Sequence, residues 1–139
     1  HVNSLEDVNN PADQTVTLRE AMMFARGDRS PTVLIGFPDE EDQVESPFGA
    51  GVADTIRSST SGVISLASYL PRLDDSTDAI EGAGFVLDGS GLSASPVQSC
   101  FEISQNGHRI EGLRITGFPN GGIFVSGANN VFRALVLDS

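Results

Sequence analysis

Residues 101–117, FEISQNGHRIEGLRITG, and residues 123–138, IFVSGANNVFRALVLD, are two copies of one pattern, offset by 22 from Phe101 to Ile123. Apolar falls on apolar at Phe101/Ile123, Ile103/Val125, Ile110/Phe132, Leu113/Leu135 and Ile115/Leu137. Small falls on small at Ser104/Ser126 and Gly112/Ala134. Each copy holds short alternating runs, the period of a half-buried strand. Asn106-Gly107, Asn120-Gly121-Gly122 and Asn129-Asn130 punctuate the runs with residues that tolerate positive φ. A repeat near 20–30 residues built from short strands cannot bury its own apolar face and has to stack on its neighbours.

Working backwards, Ile80-Glu81-Gly82 to Leu87-Asp88-Gly89 matches Ile110-Glu111-Gly112 to Ile115-Thr116-Gly117 with two extra residues inside. It reads as the preceding coil. Val63-Ile64-Ser65-Leu66 and Thr32 to Phe37 read as earlier strands, and 38–61, with Pro38-Asp39-Glu40-Glu41-Asp42, as an excursion loop. Thr17-Leu18-Arg19-Glu20 has the capping-box form, and Gly27 stands at the C-cap place. Leu18, Ala21, Met22 and Ala25 share one helical face. The spacing predicts a helix over 17–26 that covers the open end of the core.

The expected fold is therefore all-β. It is a right-handed parallel β-helix with an N-terminal capping α-helix, in one domain over 1–139. The cap spans 1–30 and the regular coils 62–139. Leucine-rich repeats have a similar period, but their Leu-x-x-Leu-x-Leu frame is missing.

Val16-Thr17-Leu18-Arg19-Glu20-Ala21-Met22 resembles the Cys-Ser-Leu-Arg-Glu-Ala-Ile segment that opens many secreted bacterial β-helix proteins of the pectate-lyase-like superfamily, with Val in place of Cys. Ile110 to Phe118, followed by Gly122-Ile123 and Asn129-Asn130, is similar to the coil consensus of that superfamily. The resemblance implies an extracellular or cell-surface location. It leaves function open, because the superfamily includes lyases, hydrolases, epimerases, adhesins and structural proteins.

Composition narrows the choice. With 19 acidic residues against 8 basic, the net charge is −11. Nucleic acid is excluded as a partner, since phosphate neutralisation needs clustered cations. No run approaches the roughly 18 apolar residues of a membrane span, so membrane insertion is not expected. The single cysteine, Cys100, rules out an internal disulfide and reads as a small buried hydrophobe. His1 stands where an initiator Met is absent, which fits either signal-peptide cleavage or a cloning junction. No cofactor is expected. Calcium is the alternative for the acidic stretches 38–42 and Asp74, Asp75 and Asp78, although neither has a recognised ligand spacing.

Catalytic candidates are weak, and no catalytic residue is assigned. Asp88, Thr116 and Asp138 fall at equivalent strand ends. This sets the two carboxylates two coils apart, roughly 9–10 Å, near the upper limit for an inverting pair. Ordinary turn chemistry explains them better. His108, in Asn-Gly-His, reads as a solvated turn residue, and Glu111 over Arg133 as a surface ion pair of about 0–1 kcal/mol.

The last coil leaves Phe124, Phe132, Leu135, Val136 and Leu137 as an expected assembly interface, because apolar residues and strand edges there have no cover. Self-association or continuation of a longer chain would supply it. The leading expectation is a non-enzymatic, secreted structural or adhesive module that assembles into a fibre or surface layer. The alternative is a carbohydrate-active enzyme, or a glycan-binding fragment of one, with polysaccharide as its partner.

Overall fold

A computed structural model describes residues 1–9, 15–28, 51–58, 60–73, 78–94, 99–119 and 121–138. The expected strand at 32–37, the acidic stretch 38–42, and Asp74 and Asp75 lie outside the described residues. The remainder is mostly strand with one short helix. In chain order the elements are α1 (Leu18–Arg26), β1 (Thr55–Arg57), β2 (Val63–Ser65), β3 (Ala79–Asp88), β4 (Phe101–Ile103), β5 (Arg109–Thr116), β6 (Ile123–Val125), β7 (Val131–Arg133) and β8 (Val136–Leu137).

All strand pairing among these elements is parallel. The larger sheet has the order β1-β3-β5-β7, with β2 also on β3 and β8 also on β5; β4 and β6 form a second sheet. Four passes of the chain thus lie one on another: β1 with β2, then β3, then β5, then β7 with β8. The 22-residue offset holds at every partner of the last two passes, including Phe101↔Ile123, Ile110↔Phe132 and Ile115↔Leu137. The two extra residues in the earlier copy are a register shift. Glu81 pairs with Glu111, but Phe85 pairs with Leu113.

Two boundaries differ from expectation. The stretch read as an excursion loop contains β1, whose Ile56 pairs with Ile80. One apolar residue between Thr55 and Arg57 is too little to show a period. The final strand is broken between β7 and β8, where Ala134 takes φ +49. Gly112, its equivalent one pass earlier, has φ +74. The small residues at this place in the repeat therefore serve a left-handed backbone.

The helix forms as its caps dictate. Thr17 Oγ1 accepts from the Glu20 N–H, and Glu20 Oε2 accepts from the Thr17 N–H at 2.9 Å. Gly27, at φ +80, closes the other end. Leu18, Ala21, Met22 and Ala25 enter the main core as expected. Phe24 is buried as well, outside that cluster. The helix packs on β1, the strand at the start of the sheet order.

Inward residues stack in columns through the passes. One runs Ile56, Ile80, Ile110, Phe132; another Ile64, Leu87, Ile115, Leu137. In the second sheet Leu73, Ile103 and Val125 line up. Burial of such columns is the main stabilising term, roughly 1.5–3 kcal/mol for each fully buried large side chain.

Candidate functional site

The Thr17 to Ala21 segment does structural work throughout. Leu18 and Ala21 are core, while Thr17 and Glu20 cap the helix. Arg19 grips Asp7 through Nε and Nη2 at 2.8 and 2.9 Å. It also donates to the Tyr69 and Ser68 carbonyls. Asp7 accepts from the Ala67 N–H at 2.7 Å, so the N-terminal segment, the helix and the connection after β2 are tied at one point. This ion pair is mostly buried and bidentate, the geometry in which Arg and a carboxylate bind best.

The carboxylate candidates occupy the expected register. Asp88 is the Cα partner of Thr116, and Asp138 hydrogen-bonds the Thr116 side chain and the Arg114 guanidinium. Hydrogen bonds from the Ser90 backbone and then its side chain hold Asp88 below the ordinary carboxylate range. Thr116, then Arg114, do the same for Asp138. An inverting hydrolase needs one carboxyl raised and protonated to act as the acid. These two groups are both held in the ionised form, and each is occupied by its own turn or ion pair.

A pH dependence follows. Both folded-state values lie below the ordinary 3.8. The stabilisation is therefore present above that value and is lost as pH falls through the folded-state values. Thermal melts between pH 7 and pH 2 should show a wild-type Tm that drops at the acid end. The Asp138→Asn curve should drop less, and identical curves would contradict the assignment.

His108 is a correction. It is fully buried, not solvated. Its Nδ1 faces the Asp78 carbonyl at 3.3 Å, its N–H donates to Asn130 Oδ1 at 2.8 Å, and Nε2 is buried with no hydrogen-bond partner. The polar turn before it hid an inward side chain. Glu111 and Arg133 are Cα partners as expected, but the ion pairs here run from Glu81 to Arg57 in the same row and to Arg109 in the row of Ala79. Cys100 is buried, and that burial pushes its thiol well above the usual value, which leaves no thiolate for chemistry.

Among the described residues no group of His, Cys, Asp or Glu side chains is placed to hold a metal ion. Nor is any described helix long and apolar enough to cross a membrane.

The last pass is the most unusual surface. Three interior columns end in an exposed residue. Ile110 is 0% exposed and Phe132 38%; Ile115 is 1% and Leu137 56%; Ile103 is 1% and Val125 39%. Phe124 and Val136 are also exposed, at 61% and 52%. Leu135 departs from the expected interface, being half-buried against the core. Val125 and Val131 belong to the exposed set although sequence reading passed over them. β6 pairs only with β4, and β7 and β8 only with β5, so the other edge of this pass carries no strand among the described residues. No family model, curated protein or solved structure matches the chain.

Proposed function

We propose that the chain is a right-handed parallel β-helix, capped by α1, that serves as a non-enzymatic, secreted structural or adhesive module and is lengthened at its last pass. The observation that carries this reading is the set of three interior columns ending in Val125, Phe132 and Leu137, all exposed, beside a strand edge that no strand among the described residues covers. An edge of this kind is a template for a further strand. Each such side chain contributes roughly 1.5–3 kcal/mol when fully buried. Covering three half-exposed ones therefore favours addition of a strand, from continuing chain or from a second copy. The 22-residue register supports the β-helix, and the likeness of the coil and Leu18-Arg19-Glu20-Ala21 segments to secreted proteins supports the location.

The test is light scattering on the purified 139-residue chain across a concentration series, with negative-stain microscopy alongside. Growth with concentration is expected, and Leu137→Lys should suppress it without lowering the Tm. A monodisperse monomer at every concentration would overturn lengthening by further copies.

A further inference from the structure

Beside the apolar columns runs a polar one. Asp54, Asp78, His108 and Asn130 each stand immediately before a residue of the register Thr55↔Ala79↔Arg109↔Val131. The first three are buried and Asn130 is half-buried. Backbone bonds link them: the Ala79 N–H donates to Asp54 O, the Arg109 N–H to Asp78 O, and the Val131 N–H to His108 O. Two side chains add a second link, in which the earlier pass donates and the later one accepts. Asp78 Oδ1 accepts from the Asp54 N–H at 3.0 Å, and Asn130 Oδ1 accepts from the His108 N–H at 2.8 Å. In both, the later pass reaches back to the backbone of the earlier one. His108 is the exception. Its ring meets a carbonyl, which only accepts, so Nδ1 carries the hydrogen and Nε2 is left buried without a partner.

We infer that this column sets the register in which each pass lands on the one before, with Asn130 as the positioning residue for the last pass. The need for such a device comes from strand length. β1, β2 and β7 have three residues each; β1 and β2 bury one side chain apiece, Ile56 and Ile64, and β7 sets only Phe132 in register with a buried residue, Ile110. A single inward residue defines no alternation. A slip of two residues also keeps every side chain on its own face. An acceptor that has to meet one particular N–H removes that freedom, because a slipped pass leaves the N–H of a buried residue, His108 in the last case, unsatisfied. Asn130 Nδ2 also donates to Gln105 O, which fixes the amide's orientation.

The column rests on its own hydrogen bonds. One consequence rests also on the strand-addition reading above: a strand added beyond Asn130 should bring Asn or Asp two residues before its inward apolar residue.

Disulfide trapping tests the column in the intact chain. Glu111 and Arg133 are Cα partners, so the E111C/R133C pair reports the native register. R109C/R133C reports a two-residue slip. The native thiol, Cys100, is buried and does not compete. With Asn130 present only the first pair should close. With Asn130→Ala the second should close as well, and exchange at the His108 amide should quicken roughly tenfold. Asn130→Asp keeps the acceptor oxygen and should behave as wild type. If Asn130→Ala never yields the slipped link, or loses both links, Asn130 does not choose the register and the inference fails. Slippage in Asn130→Asp would equally refute the acceptor's role.

Discussion

Phe85→Ala is expected to destabilise the chain by about 3–5 kcal/mol, the range for removing a buried aromatic side chain. Phe85 is 1% exposed and sits in β3, the strand that pairs with β1, β2 and β5 at once. Its Cα partner is Leu113, also buried. The ring lies just after the register shift between Glu81 and Phe85, where the strand resumes regular pairing. Truncation would therefore leave a cavity between passes whose backbones are fixed by ladders on both sides, and the site can collapse only slightly. A domain of this size has on the order of 5–15 kcal/mol of net stability, so the variant should lose a large fraction of it. Urea unfolding measures the change directly. Phe124→Ala is the matched control. Phe124 is 61% exposed, and its removal should shift stability by no more than about 0.5 kcal/mol. Equal effects at the two positions would mean that the core does not run through β3.

The repeat was legible because inward positions repeat. Every apolar match read from 101–117 onto 123–138 that falls inside a strand is a partner in the ladder. The helix was legible from Thr17, Glu20 and Gly27, whose capping roles are local and need no knowledge of the rest of the chain. β1 was not, because Ile56 stands alone between polar residues and acquires meaning only opposite Ile80. His108 was misread for a related reason. Asn106-Gly107 marks a turn correctly, but nothing within one pass says where the turn ends and the inward side chains begin. The available signal lay across passes. Asp54, Asp78, His108 and Asn130 all stand two residues ahead of an inward apolar residue, so extending the repeat comparison to polar positions would have exposed the column. At the candidate edge, Phe124, Phe132, Val136 and Leu137 are exposed as the repeat comparison predicts, whereas Leu135 is not. Its repeat equivalent Leu113 is buried, and Leu135 likewise packs partly against the core.

The left-handed place shared by Gly112 and Ala134 gives the second large effect. Gly112→Ala is expected to cost about 2–5 kcal/mol, combining left-handed backbone strain with steric overlap. Gly112 has φ +74, and a Cβ there would overlap the Gly82 carbonyl of the pass below. That neighbour is backbone in a paired strand and cannot turn aside as a flexible side chain would. Gly51 separates the two causes. It has φ +80 with open space around the Cβ position, so Gly51→Ala carries the backbone term alone, about 1–2 kcal/mol. Ala134 supplies the reverse experiment. It occupies the equivalent left-handed position one pass on, at φ +49, and Ala134→Gly should relieve strain and raise the Tm. Three melts therefore decide the point. If strain and close approach both act, Gly112→Ala falls well below Gly51→Ala, and Ala134→Gly rises above wild type. If Gly112→Ala and Gly51→Ala fall together, the passes are not packed backbone to backbone at Gly82, and the stacking of β3 on β5 at that point would have to be redrawn.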